Sequence, residues 1–191
     1  MKEHKYYSLN YWCDEENSAD CECYTTAYYG FEVSKIAINF MVNRGVKSGD
    51  FVMLGVANGF TFNELQGAYQ DWNFLGVDLE RPPALVGDFL AADITSLTPE
   101  SLAGATLIYN DIGNYQLTPL AKIWASYIGL RSLPSGSGLL CRNDANSIDF
   151  PLSAWATNLS CDEFRLSDLM ESDGSEIDSD VLEGHSIFLR R

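Results

Sequence analysis

The chain has 191 residues, a net charge of -15 at pH 7, 46% hydrophobic and 20% charged residues, which is enough for one domain with a sizeable core. So acidic a chain repels phosphate backbones at long range, which disfavours extended nucleic-acid binding but leaves room for a small nucleotide or one RNA end on a local cluster of Lys and Arg, for a basic partner protein on the acidic surface, or for charge that serves solubility alone. No apolar run reaches membrane-span length, no secretion signal opens the chain, and five cysteines without a dense framework fit a reducing, cytoplasmic compartment.

Residues 1–30, rich in Tyr and polar residues, lack periodicity and are expected to be an irregular extension over a core spanning 31–191. Apolar residues at Val33, Ile36, Ala37, Phe40 and Met41 predict a helix from Phe31 to Arg44, with Gly45 as its stop. Phe51–Leu54 is then an apolar strand running into the turn Gly55-Val56-Ala57-Asn58-Gly59, with a helix expected from Thr61 to Tyr69. Gly55 and Gly59 permit positive φ and close approach of a ligand. A second strand, Asn73-Phe74-Leu75-Gly76-Val77-Asp78, ends in a carboxylate able to accept from a ribose diol. The pair points to a nucleoside-containing ligand.

Further along, Arg81-Pro82-Pro83 interrupts regular structure, and Ala84 to Phe89 predicts a third strand ending in Gly87-Asp88-Phe89. Thr98 as cap and Pro99 at the first position predict a short helix. Ala105–Tyr109 is a fourth strand delivering Asn110-Asp111. Leu117–Leu133 is a long amphipathic helix, and Leu139-Leu140-Cys141 is a fifth strand ending in Arg142. A helix over Phe150–Leu159 and two closing strands, Glu163–Leu169 and His185–Leu189, follow. Alternating strands and helices predict an α/β fold with a mainly parallel sheet, helices on both faces, and ligands beyond the carboxyl ends of the strands.

A nicotinamide-binding turn would want Gly-x-Gly-x-x-Gly, and Ala57 with Phe60-Thr61 breaks that register. The turn instead resembles the first motif of Rossmann-like class I S-adenosylmethionine-dependent methyltransferases, in the Gly-x-Ala-Pro-Gly variant of the FtsJ-like ribose 2'-O-methyltransferases. Over Val33 to the C-terminus the chain is most similar to the nidovirus cap ribose methyltransferases. Their Lys-Asp-Lys-Glu tetrad is matched by Lys35 in Val33-Ser34-Lys35, by Asp111 in Asn110-Asp111-Ile112, by Arg142 after Gly136–Cys141, and by Glu163 in Cys161-Asp162-Glu163. Their adenine-holding Gly-Asp-Cys is matched by Gly87-Asp88-Phe89, and their terminal His-containing strand by His185–Arg190. The resemblance implies a methyltransferase domain over 1–191 that binds S-adenosylmethionine through Gly55, Ala57, Gly59, Asp78, Leu79, Asp88, Phe89, Asp111 and Ile112. It implies as substrate a capped RNA 5' end, methylated on a ribose 2'-hydroxyl. It also implies a viral origin with a host-cytoplasmic location and a replicase protein as partner.

Such a reaction needs a hydroxyl that attacks in line and loses its proton. A lysine can take that proton only if desolvation or a neighbouring cation lowers its pKa from about 10.4. Arg142 stands where the family has a lysine, and an arginine stays protonated. Lys35 is therefore expected as the base, Arg142 as an electrostatic clamp, and Asp111 and Glu163 as their orienting groups. Met53 stands where many methyltransferases place an acid.

Two other classes compete. A methyltransferase for a small molecule or protein suits the acidic surface, and a cofactor-binding pseudoenzyme suits Arg142. Cys13, Cys21 and Cys23 with His4 match no standard zinc spacing, and free thiols are expected. Tyr6, Tyr7, Tyr11, Trp12, Tyr28 and Tyr29 form either a packing layer or a stacking platform for a base. His185 is expected to be structural.

Overall fold

The structure, a computed structural model, describes residues 22–57, 59–112, 119–142, 152–169 and 182–191. Apolar runs bounded by turn residues form the central strands: β1 (Asp50–Leu54), β2 (Asn73–Asp78), β4 (Leu107–Asn110) and β5 (Gly138–Arg142). All four residues of β4 are buried, as expected of a parallel strand covered on both faces, where no polar alternation survives. With β3 (Asp88–Ala91), β6 (Cys161–Arg165) and β7 (His185–Arg190) they make a seven-stranded sheet in the order β3-β2-β1-β4-β5-β7-β6. Only β7 runs antiparallel to its neighbours β5 and β6. The order reverses between β1 and β4, and such a switch point opens a crevice at the carboxyl ends of the strands.

Helices cover both faces. On one lie α1 (Glu22–Asn43) and α2 (Phe60–Ala68), packed through Val33, Ala37, Ile38, Met41, Phe62 and Leu65 onto Phe51, Met53, Leu107, Tyr109 and Leu140. On the other lie α3 (Pro119–Ser132) and α4 (Leu152–Asn158), with Ala125, Ile128 and Leu152 against Val52, Leu54, Ile108, Leu139 and Phe188. None of the helices among the described residues is long and apolar enough to cross a membrane.

Four sequence expectations are corrected here. Helix α1 begins at Glu22, so part of the segment read as irregular is helical; Glu22–Gly30 carries no apolar stripe that periodicity could flag. The third strand starts at Asp88 instead of ending there. Before it, Val86 is 64% exposed and Gly87 has φ 99°, and Arg81 gathers the Leu85 and Gly87 carbonyls at 3.1 and 2.9 Å, which makes Ala84–Gly87 a stapled loop. The sixth strand is Cys161–Arg165, followed by a helical turn α5 (Leu166–Leu169) where a continuing strand was read. Leu166 turns in to pack with the α1 side of the core. The expected helix after Thr98 is a single 3-10 turn, Pro99–Leu102.

Asn110 joins sheet and helix at the centre of the fold. It has no exposed surface; its Nδ2 donates to the Lys122 carbonyl at 3.0 Å and to Ser126 Oγ at 2.8 Å, and its Oδ1 accepts from the Ile112 N–H at 3.3 Å. Removing a buried group with several partners leaves the partners desolvated and unpaired. Asn110→Ala is therefore expected to lower the unfolding free energy by about 1–3 kcal/mol, read as a lower urea midpoint with an unchanged slope.

Candidate functional site

The turn after β1 is held by the end of β2. Gly55, Ala57 and Gly59 all have positive φ, at 86°, 46° and 83°, so the chain turns back over the strand ends and enters α2 at once. Asp78 fixes this shape: its Oδ2 accepts from the Val56 N–H at 3.0 Å and the Ala57 N–H at 3.3 Å, and its Oδ1 accepts from the Leu79 N–H at 2.8 Å. A carboxylate offers about four lone-pair sites. Against the bonds shown, Oδ1 keeps capacity for one more donor, such as a ribose hydroxyl. Leu79, next in the chain, is an exposed apolar side chain at 39%, suited to the face of a purine.

The floor of the crevice is the end of β4. A Cβ at Gly55 would lie 3.1 Å from the Asp111 carbonyl oxygen, so the turn and the β4 end approach as closely as glycine allows. Helix α1 passes on one side, where a Cβ at Gly30 would meet Thr61 Oγ1 at 3.1 Å and Asp111 Oδ2 at 3.7 Å. A glycine inside a helix costs roughly 1 kcal/mol relative to alanine, and here it makes room beside a carboxyl.

Asp111 is the most perturbed acid of the site. Its Oδ1 accepts from the hydroxyl of buried Tyr109 at 2.9 Å. Burial pushes its pKa up to about 7, against the opposing pull of the Tyr109 hydrogen bond and of the Arg142 and Lys122 charges. Tyr109 in turn is pushed well above its ordinary value by burial and by Asp111.

Not every predicted residue joins this group. Pairing of Asn110 with Cys141 puts Asp111 and Arg142 in the next row of the sheet, on the α1 side with Tyr109 and Leu140, and Arg142 pairs across to His185 of β7. Lys35 is elsewhere: five residues beyond Gly30, it is turned about 140° around α1 at 3.6 residues per turn. Its ammonium meets Glu32 at 3.4 Å and is 41% exposed. Its carbonyl receives the Tyr69 hydroxyl at 3.4 Å from the far end of α2. Glu163 is on the other face. It pairs with Phe188 of the α3-side core and accepts from Ser186 Oγ at 3.0 Å, while its neighbour Phe164 packs against Phe40 of α1 at 5.0 Å between ring centroids.

Asp88 and Phe89 also lie away from the crevice. Asp88 is level with Leu75 and Ala91 with Asp78, so Asp88 sits three residues, roughly 10 Å, back from the carboxyl end. There it lines a groove at the amino end of the sheet with Asp50 and Asn73. The acid that follows β3 is Asp93. The Ala92 N–H donates to the Asp78 carbonyl at 2.9 Å, which carries Asp93 to the crevice, where its Oδ1 accepts from the Thr95 N–H at 2.8 Å and the Thr95 hydroxyl at 2.7 Å. The signal in the sequence was the run Phe89-Leu90-Ala91-Ala92 immediately before it. Lys122 was missed as well: it lies inside an apparently amphipathic helix, yet has no exposed surface. Among the described residues no group of three or more His, Cys, Asp or Glu is placed to hold a metal, and Cys141 and Cys161 are buried cysteines outside any disulfide. Cys13, Cys21 and Cys23, expected as free thiols, and the aromatic residues between Tyr6 and Tyr29 lie outside the described residues and side chains.

No family model matches the chain, and no curated protein matches it. Solved structures do. An S-adenosyl-L-methionine methyl transferase from Silicibacter pomeroyi aligns over 86% of this chain and 96% of its own, with a TM-score of 0.55 at 15% identity. The sugar N-methyltransferase KedS8 from a Streptoalloteichus species aligns over 85% and 88%, with a TM-score of 0.54 at 12% identity. DesVI from Streptomyces venezuelae aligns over 85% and 92%, with a TM-score of 0.53 at 9% identity. The fold is that of the Rossmann-like class I methyltransferases. In open α/β sheets of this kind ligands bind beyond the carboxyl ends of the strands at the switch point, which in this sheet lies between β1 and β4.

The Asp111 shift has a measurable sign. Its ordinary value is 3.8 and its folded value about 7, so between those limits the folded protein holds a proton that the unfolded chain has lost. This group's contribution to stability is therefore highest below about pH 4, falls as pH rises to about 7 at no more than about 1.4 kcal/mol per unit, and is level above that. Asp111→Asn is expected to remove this slope from urea midpoints measured between pH 4 and 8.

Proposed function

We propose that this chain is an S-adenosylmethionine-dependent methyltransferase whose acceptor is a hydroxyl that gives up its proton at Asp111. The observation that carries the reading is the Asp78 carboxylate gathering the positive-φ turn after β1 at the switch point of a sheet with class I strand order. When bound, S-adenosylmethionine supplies an electrophilic methyl on a sulfonium. Asp78 Oδ1 accepts from the cofactor ribose, Leu79 and Ile112 cover the purine, and Asp93 takes the adenine-holding role that the sequence suggested for Asp88.

Asp111 takes the acceptor proton. It stands at the end of β4 against Gly55, and a carboxyl titrating near 7 is matched to proton transfer at neutral pH. Arg142 stays protonated and fixes charge beside it. Lys35, on the outer flank of α1, and Glu163, on the opposite face of the sheet, are left out of the proton path.

Two acceptors are supported by different observations. The order of the motifs along the chain favours a ribose 2'-hydroxyl at a capped RNA 5' end. The net charge of -15 and the separate placement of Lys35 and Glu163 favour a hydroxyl on a small molecule, and this second reading accounts for more of the site.

Calorimetry with S-adenosylmethionine tests the reading. Binding is expected, weakened at least tenfold by Asp78→Ala and severalfold by Asp93→Ala, and unchanged by Asp88→Ala; no binding to the folded protein would end it. With labelled cofactor, transfer is expected to a hydroxylated acceptor, and Asp111→Asn is expected to reduce the rate by about 10²- to 10⁴-fold while cofactor affinity stays within twofold. A panel holding capped short RNA and hydroxylated sugars and phenols separates the acceptors. Binding without transfer to any of them would favour the pseudoenzyme.

A further inference from the structure

Tyr109 is the polar exception in an apolar layer. It is buried, and its row of the sheet holds buried Met53 on β1 and Leu140 on β5. A phenylalanine would fill nearly the same space, so the hydroxyl is what distinguishes the position, and a buried hydroxyl costs free energy unless it is hydrogen-bonded. Its partner lies two residues on, on the same face of the chain: the hydroxyl donates to Asp111 Oδ1 at 2.9 Å. The Asp111 backbone is held too, since its N–H donates to the Leu54 carbonyl at 2.9 Å. With backbone and Oδ1 both fixed, the second oxygen, Oδ2, lies toward α1, 3.7 Å from where a Cβ at Gly30 would stand.

We propose that Tyr109 is a positioning residue of this site: its hydroxyl fixes Asp111 Oδ1 and so turns Oδ2, on the Gly30 side, to the acceptor's proton. The proposal rests on the reading of Asp111 as proton acceptor. Oδ2 takes the proton, the electron pair of that O–H bond stays on the oxygen that takes up the methyl, and the pair of the broken sulfur–methyl bond stays on sulfur. Tyr109 keeps its own proton, because burial and Asp111 push its pKa well above the ordinary value. Among the described residues the titratable and charged groups acting on Asp111 are Tyr109 of β4, Arg142 of β5 and Lys122 of α3. Cys141 of β5 acts on Tyr109, and His185 of β7 pairs with Arg142. Helices α1 and α2 present uncharged Gly30 and Thr61, and the turn after β1 presents Gly55. Removing the hydroxyl takes away a donor in direct contact with the carboxyl and leaves these other groups in place. A donor to a carboxylate favours its ionised form, so without it proton uptake needs a higher pH.

Carbon-detected NMR titration of aspartate-labelled protein, with Asp111→Asn to assign the signal, tests this without cofactor or acceptor. Tyr109→Phe keeps the ring and is expected to move the Asp111 midpoint upward by roughly one pH unit. Replacing Tyr109 by 3-fluorotyrosine makes the hydroxyl a stronger donor and is expected to move the midpoint downward. With a working acceptor, Tyr109→Phe is expected to lower kcat by about tenfold while cofactor affinity stays within twofold, and to carry the pH–rate profile upward; the fluorinated variant restores the rate. A folded Tyr109→Phe with an unmoved Asp111 midpoint would overturn the proposal, as would a fluorinated variant whose midpoint rises, or a Tyr109→Phe that transfers methyl at the wild-type rate across the pH range. If Tyr109→Phe fails to fold, the fluorinated variant decides alone, and an unmoved midpoint there counts against the proposal. Should no acceptor be methylated, the titration still reads the hold of Tyr109 on Asp111, so failure of the functional reading and failure of the Tyr109 role are seen separately.

Discussion

The carboxylate of Asp78 is the constraint on which the crevice depends. A turn with positive φ at Gly55, Ala57 and Gly59 exposes backbone N–H groups that no strand or helix satisfies, and such groups are costly when left unpaired. Asp78 accepts two of them together with the Leu79 N–H, and so ties the end of β1 to the end of β2. Once that tie is made, Gly59 leads into α2 against Leu85, and Gly55 comes to rest against the Asp111 backbone. One side chain thus sets the distance between the β2 side of the crevice and its β4 side.

Around this tie the molecule separates two tasks. The half of the sheet holding β1, β2 and β3 presents acceptors and apolar surface suited to a nucleoside: Asp78, exposed Leu79 and Asp93. The half beginning at β4 presents charge. Asp111, Arg142 and His185 lie in one row across three strands, directly above the buried layer of Tyr109, Leu140 and Ile187. Asp111 there is an acid that burial makes hard to ionise.

The parts legible in the sequence were those written locally. The apolar run into Gly55, the Asp that ends β2, and the alternation of strands and helices depend on near neighbours, and they appear in the structure where they were expected. Asp88 was misplaced because Ala84–Gly87 looks like a strand by composition, whereas the register of β3 is set by pairing with Leu75 on a distant segment. Glu163 could not be assigned a face from the sequence: the parity of β6 follows from its pairing with β7, and a slip of one residue inverts every side chain. Lys35 matched a motif by order alone, and its direction follows from how α1 rolls Gly30 toward Thr61. Lys122 was invisible because a polar residue within a helical pattern is read as solvated until the packing around its helix is known.

The central claim is that a nucleoside cofactor is bound at the carboxyl ends of β1, β2 and β4 over the Asp78 tie. Amide chemical-shift mapping on addition of S-adenosylhomocysteine tests it most directly. The account predicts saturable shifts at Gly55, Val56, Ala57, Gly59, Leu79, Thr95 and Ile112, with Asp50, Asn73, Asp88 and Glu163 unmoved. Shifts confined to the amino end of the sheet around Asp50 and Asp88, or none at any residue of the folded protein, would contradict it.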